Sequence, residues 1–444
     1  MGMPVVNIVG GGLAGSEAAW QALNLGCKVR LHEMRPAKLT PAHKTGNLAE
    51  LVCSNSLKSL SVSSAPGLLK QEMTLMNSLV IQSAMDAKVP AGQALAVDRE
   101  KFAAAITKKL KAHENFELVA GEVAAIPSEE ELKSSNEVWV IASGPLTSES
   151  LSKSLMALCQ NESELHFYDA IAPVIDGETI NYDEVFRASR WQEGEGDYLN
   201  IPLDKDQYEE FIDAIIAAEK VPLHSFEEVK YFESCLPIEV MIERGRDTLR
   251  FGPMKPSGLD NPKTGRWSHA NIQLRMEDVG GSMYSMVGFQ TKMKWPEQKR
   301  IFQTLPGLKD AEFLKLGSVH RNTYLNGPKV LNKDLSFKSN GRVFLAGQIT
   351  GVEGYTESAS IGLLAGRSAA SKIQGRSFQM PPRGTMIGSL YHHITEGQKG
   401  DYSPMNCNLG LLPTIAKKRG VSKADRKAEQ CRRANEVFQV FLGT

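Results

Sequence analysis

The sequence predicts an α/β protein built on a Rossmann-like domain, with an α+β domain inserted into it. Three observations lead there. The amino end runs strand, glycine-rich turn, helix; a second strand-to-glycine-to-helix unit recurs near residue 345; and between them the strand–helix alternation breaks down. At 444 residues the chain can form two or three domains, each with a sizeable core. Hydrophobic residues at 42% and charged residues at 23% are ordinary for a globular protein. Lys plus Arg equal Asp plus Glu at 51 each, so no global field draws the chain toward a polyanion.

The elements follow in order. Val5-Val6-Asn7-Ile8-Val9 is short, apolar and β-branched, the pattern of a buried strand. Gly10, Gly12 and Gly15 follow with G-x-G-x-x-G spacing, and Gly11, Leu13 and Ala14 complete the loop. Residues 16–23 form a helix that stops at Gly26, and 27–33 form a second strand ending in Glu33. Each part has a physical task. Gly10 permits the tight turn, Gly12 lets backbone approach a pyrophosphate, and Gly15 lets helix and strand pack closely. The helix amino terminus offers free N–H groups and a positive dipole end to phosphates. Glu33 is placed to accept both hydroxyls of an adenosine ribose, which disfavours a 2′-phosphate. The glycine spacing alone is weak evidence; flanked by these two strands and the helix, it predicts a dinucleotide site.

Residues 101–111 make an amphipathic helix with Phe102, Ile106 and Leu110 on one face, and 116–123 return as a strand. Val123 would meet the adenine edge through its backbone. Residues 138–141 form another strand, running into small residues that include Gly144, expected to face the cofactor. From 341 to 348 a strand closes on Gly347 and Gln348, with Gly351, Gly354 and a small-residue helix over 358–370 beyond. A helix start of this kind suits the flavin side of a two-part site. The fold expected is therefore a Rossmann-like FAD-binding domain of the glutathione-reductase type with an inserted α+β domain. Its first part spans 1–158, the insertion 159–267 and the second part 268–444, where 271–275 and 284–289 resume strand-like alternation. No second G-x-G-x-x-G marks a dedicated nicotinamide domain.

Six cysteines with no C-x-x-C argue against a disulfide scaffold or zinc ribbon, and no ligand spacing suggests a metal. No G-x-S-x-G suggests a hydrolase. The amino terminus lacks the pattern of a signal peptide, and no apolar run approaches the roughly 20 residues that span a bilayer. A cytoplasmic protein without membrane contact, with reduced thiols, is expected. Residues 417–433 carry eight basic side chains, Lys417, Lys418 and Arg419 among them, against Asp425 and Glu429. This stretch reads either as a solvated helix face or as a contact for an RNA backbone.

Several segments together resemble one family: VNIVGGGLAGSEAAW, LAELVCSNSLKS around Cys53, ASGPLTS, FYDAIAP, FESCLPIEV around Cys235, MVGFQT, HRNTYLN, LAGQITGVEGYTESASIGLLAG and PMNCNLGLLP. They look like the folate- and FAD-dependent tRNA (uracil-5-)-methyltransferases, over essentially the whole chain. The resemblance implies transfer of a one-carbon unit from 5,10-methylenetetrahydrofolate to C5 of a tRNA T-loop uridine. FAD would supply electrons and NADH or NADPH would re-reduce it. Two cysteines match motif positions of that family. Thiolate addition at C6 makes C5 of uracil enolate-like, and Cys235, on the substrate side, is expected to add there, with Arg244 or Arg246 lowering its pKa. Cys53 is expected to shape the flavin site or assist proton transfer. For both, the alternative is buried packing. Arg275, His320, Arg321 and Asn322 would hold the folate pterin or its glutamate tail, or else make interdomain hydrogen bonds. The chain departs from the family in having Ile201 where a cysteine is common and Cys407 where a small residue is expected, which reads as packing. Three other readings stay open: the same chemistry on ribosomal RNA, a flavin oxidoreductase acting on a small substrate without RNA, and an RNA-binding flavoprotein without catalysis.

Overall fold

The structure, a computed structural model, describes residues 3–40, 42–159, 165–192, 194–221, 236–278, 280–397, 402, 404–415 and 422–443. Its first layer is a five-stranded parallel sheet in the order Val343–Leu345, Glu137–Ile141, Val5–Val9, Lys28–Glu33, Phe116–Ala120. The order reverses beside Val5–Val9. The crevice outside the carboxyl ends of Val9 and Ile141 is thus a topological switch point, where parallel α/β sheets hold their ligands. The helices Leu13–Asn24 and Tyr355–Ile373 pack against each other on this sheet. Gly362 and Gly366 allow it: a Cβ at Gly362 would lie 2.7 Å from Ala14 Cα, and one at Gly366 2.7 Å from Ala18 Cα. A small three-stranded sheet (Ser56–Ser59, Ala94–Val97, Lys88–Val89) completes this domain.

The insertion has its own core, built from Ile201, Phe211, Ile272, Met286, Phe289, Phe302 and their neighbours. Its six-stranded sheet runs Phe186–Ala188, Tyr198–Leu203, Ala270–Met276, Met283–Met286, Val174–Asp176, Phe313–Lys315. Leu165–Ile171 and Ser318–Tyr324 pair antiparallel as a two-stranded ribbon joining the two domains. This corrects the expected boundary at 268. The strands foreseen over 271–275 and 284–289 exist, as Ala270–Met276 and Met283–Met286, but they pair with the insertion. The first domain resumes only after the ribbon. Alternating apolar residues announce a strand without saying which sheet supplies its hydrogen-bond partners.

Candidate functional site

A cleft of about 1080 Å³, counting its solvent-open mouth, opens at the switch point. Gly10, Gly11, Gly12, Leu13, Ala14, Glu33, Val123, Gly144, Gly347 and Gln348 all line it, as the sequence reading expected of a cofactor site. Gly10 takes φ +100°, and a Cβ there would come within 2.5 Å of Ala142 O. Gly15 sits behind the lining, where any Cβ would run into the Gly10 carbonyl. Gly351 and Gly354 also lie outside the lining, against Tyr402 and Glu357 respectively.

The cleft suits a dinucleotide on its own geometry. Nothing stands within 4 Å of where a Gly12 Cβ would be, so this position faces open space. The helix that starts there has no side-chain cap and no acidic residue in its first turn. Its free N–H groups and positive dipole end face the cavity, a ready site for a diphosphate. The helix Tyr355–Ile373 likewise begins uncapped at Gly354.

Glu33 makes several contacts at the edge of the cleft. Its carboxylate accepts the Gly11 N–H at 2.8 Å and the Arg35 N–H at 2.9 Å, and Arg35 Nε and Nη2 at 3.1 and 3.0 Å. Burial pushes its pKa up, but the Arg35 guanidinium overcomes this and holds it below the usual carboxylate value. Arg35 reaches on to Glu50 at 3.2 Å. Sequence reasoning missed Arg35, although it stands two residues from Glu33. Nearby, the Thr40 hydroxyl accepts the N–H groups of Ala42 and His43, both at 3.3 Å, so its own proton goes to His43 Nδ1 at 2.6 Å. His43 is thereby held neutral, and burial with the Arg35 charge lowers its pKa to about 4.

Val52, Gln348, Tyr355 and Ser358 also line the cleft, and Tyr355 bonds the adjoining Cys53. The half-buried Tyr355 hydroxyl accepts the N–H of Cys53 at 2.8 Å and of Ser54 at 3.2 Å. With both lone pairs engaged, its proton points at Cys53 Sγ, 2.9 Å away. Burial and the neighbouring sulfur raise the Tyr355 pKa well above that of a free phenol, so it serves as a donor. Three cations surround this pair, and the sequence reading found only Arg275. Arg99 pairs with the buried Glu277 and donates to Leu51 O at 3.0 Å. Arg275 donates to Asn55 Oδ1 at 2.8 Å and Ser54 Oγ at 2.9 Å. Lys315 donates to Val52 O at 2.7 Å, and burial with the charges of Arg99 and Lys44 lowers its pKa to about 8. All three lie within electrostatic reach of Cys53. Arg275 and Lys315 come from the insertion, so the two domains meet at this thiol.

The remaining expected residues are placed as follows. Cys235 lies outside the described residues, as do Lys417, Lys418 and Arg419. His320, Arg321 and Asn322 sit on the ribbon strand Ser318–Tyr324, opposite Asp169, Tyr168 and Phe167, and their side chains are outside the described set. Arg246 pairs with Glu209 at 2.6 Å and Asp213 at 2.7 Å on the helix Lys205–Ala217. Cys27, Cys159, Cys407 and Cys431 are buried, and Cys407 donates its N–H to Glu357. The helix Lys423–Leu442 buries Cys431, Ala434 and Phe438 and pairs Arg432 and Arg433 with Glu429, and Arg432 also with Glu436. Part of the basic stretch is therefore neutralised within its own helix. Among the described residues no helix is long and apolar enough to cross a membrane, and no cluster of His, Cys, Asp and Glu could hold a metal.

Residues 5–377 match the family described as GIDA, glucose inhibited division protein A. The chain is 49% identical over 440 residues to a methylenetetrahydrofolate–tRNA-(uracil-5-)-methyltransferase TrmFO of Geobacter sulfurreducens, covering 99% of each. Its identity is 50% over 438 residues to the protein of that name from Citrifermentans bemidjiense, covering 98% of each. Among solved structures, GidA of Aquifex aeolicus in its form I crystal superposes with a TM-score of 0.70 at 15% identity, over 98% of this chain and 76% of that one. At that identity the likeness speaks to the fold.

Proposed function

The chain belongs to the GIDA family and, within it, to the methylenetetrahydrofolate–tRNA-(uracil-5-)-methyltransferases. From that membership we propose that it methylates C5 of a T-loop uridine in tRNA, taking the carbon from 5,10-methylenetetrahydrofolate with FAD as reductant. Uridine, methylenetetrahydrofolate and reduced FAD give 5-methyluridine, tetrahydrofolate and oxidised FAD. The observation that carries the reading is the lining of one cleft: it brings together the glycine loop, Glu33 and Tyr355, whose hydroxyl lies 2.9 Å from the Cys53 sulfur.

Gly10 to Ala14 and the helix they open would hold the diphosphate, and Glu33 the ribose. Gly347 and Gln348 would line the flavin end. Bound there, FAD supplies the electron pair that turns the transferred one-carbon unit into a methyl group, and NADH or NADPH replenishes it. Cys235 adds to uracil C6, and the negative charge this places at C5 makes that carbon nucleophilic toward the folate carbon. The C5 proton must then leave, and its departure expels the Cys235 thiolate from C6. Cys53 receives it in this reading, because the Tyr355 O–H and the charges of Arg99, Arg275 and Lys315 favour a sulfur able to hold negative charge. Arg275, with His320, Arg321 and Asn322 of the ribbon, would hold the folate.

The test is a methylation assay with methylenetetrahydrofolate labelled in its one-carbon unit, on an unmodified tRNA transcript and on fragments of ribosomal RNA. Label in the T-loop uridine of tRNA alone is the expected result. Label only in ribosomal RNA, or none in either, would refute it.

A further inference from the structure

The insertion presents two tryptophans that its core does not use. Trp191 is 72% exposed and Trp267 is 51% exposed, and their rings meet edge to face with centroids 6.2 Å apart. Trp191 adopts φ 61°, the left-handed region that bulky residues avoid unless their surroundings enforce it. The surroundings here do. Its N–H donates to Gly258 O at 3.1 Å, and Gly258 lies so close to the indole that a Cβ there would stand 2.7 Å from the ring. The adjacent Arg190 donates to Ser257 O at 2.7 Å, Lys255 O at 2.6 Å and Gln273 Oε1 at 3.1 Å, tying two loops to the sheet. Trp191 is thus held in place before any ligand arrives, which lowers the ordering cost of binding.

Two further features say what it would bind. The loop over 252–267 carries Lys255, Lys263 and Arg266 against a single acid, Asp260; Arg266 directly precedes Trp267, while Lys263 is engaged by the Asp183 carbonyl. The clamp also leads toward the reactive end of the cleft. Gln273 and Arg275 are two residues apart on one face of Ala270–Met276, about 7 Å. Arg275 reaches Ser54 and Asn55, next to Cys53.

We propose that Trp191 and Trp267 form a stacking platform for an unpaired base of the RNA substrate, flanking the uridine that is methylated. The inference rests on the RNA-methylating reading above and adds to it a determinant of RNA affinity. Unpaired bases splayed from an RNA loop are held by stacking on aromatic side chains, with cations on the adjoining phosphates. Arg266, next to Trp267 in the chain, fills that second role, with Lys255 on the same loop. A protein partner would instead call for a broad apolar patch.

The experiment uses the full-length, FAD-loaded protein and an unmodified tRNA transcript. It compares wild type with Trp191→Ala, Trp267→Ala, Trp191→Phe and Arg266→Gln. Base stacking on an aromatic ring implies that each alanine variant raises KM and Kd for the transcript about tenfold, with kcat within about twofold of wild type. Trp191→Phe, which keeps a stacking face, should recover most of the affinity. Arg266→Gln should reduce the salt dependence of Kd by about one phosphate contact. FAD absorbance and melting temperature should be unchanged in Trp267→Ala, which reads the platform even if Trp191→Ala disturbs its loop. Wild-type methylation combined with unaltered KM and Kd in both alanine variants would overturn the platform while leaving the proposed function intact. A change confined to sedimentation would overturn it too, in favour of a protein contact. Absence of methylation by wild type would instead refute the underlying reading, and the platform with it.

Discussion

Tyr355 and Cys53, 302 positions apart in the chain, share one hydrogen-bond knot: the phenol oxygen accepts the cysteine N–H at 2.8 Å and stands 2.9 Å from its sulfur. The knot fixes both the backbone turn and the thiol, so its removal acts on both.

Tyr355→Phe leaves the N–H groups of Cys53 and Ser54 without their acceptor. Unsatisfied buried donors cost about 1–3 kcal/mol each, an upper range here because Cys53 and Ser54 are only half-buried. The expected outcome is a melting temperature lower by several degrees and a tenfold or greater loss of methylation, with FAD still bound. Urea melts and single-turnover labelling check this. Full activity would remove Tyr355 from any role at the thiol.

The ion pair of Arg35 and Glu33 is buried on both sides, with side-chain exposures of 2% and 7%. Arg35→Met strands the carboxylate, a loss of about 3–5 kcal/mol for a buried pair broken on one side. FAD retention should fall with it. The double variant Arg35→Met with Glu33→Gln should regain part of the stability and little of the FAD affinity. A single variant as stable as wild type would show that the pair is not needed to hold the adenosine end.

His43 gives a pH dependence with a definite sign. Its pKa in the fold is lowered to about 4, from an ordinary value near 6.5, by burial and Arg35. The unfolded chain therefore takes up this proton first as pH falls. Its contribution to stability is level above about pH 6.5 and is lost progressively toward pH 4. His43→Gln, which cannot titrate, should flatten the acid side of the stability curve across that window. Identical slopes for the two proteins, from urea melts at half-unit pH steps, would contradict the assignment.

Cys235→Ala should retain FAD, lose methylation, and form no covalent complex with RNA containing 5-fluorouracil. Gel retardation under denaturing conditions reads the complex. An adduct that persists in this variant would move the nucleophile to another residue.

Local sequence was enough for whatever the backbone imposes over a short span. The glycine loop, its flanking strands and helix, and the acid at position 33 lie within 29 residues, and steric limits at Gly10 and Gly15 permit few arrangements. The Gly347 strand and helix were legible for the same reason, and Cys407 was rightly read as packing, whereas nothing in the sequence marked Cys27, Cys159 and Cys431 as buried. Tertiary structure alone decided which sheet receives Ala270–Met276, since an alternating strand accepts hydrogen bonds from either domain. It also decided the surroundings of Cys53. Tyr355, Arg99, Glu277 and Lys315 carry no spacing signal, because they come from four separate segments and meet only when the insertion docks beside the cleft. Side-chain periodicity reports which face of an element is buried; it holds no record of which distant charge the fold will bring against it.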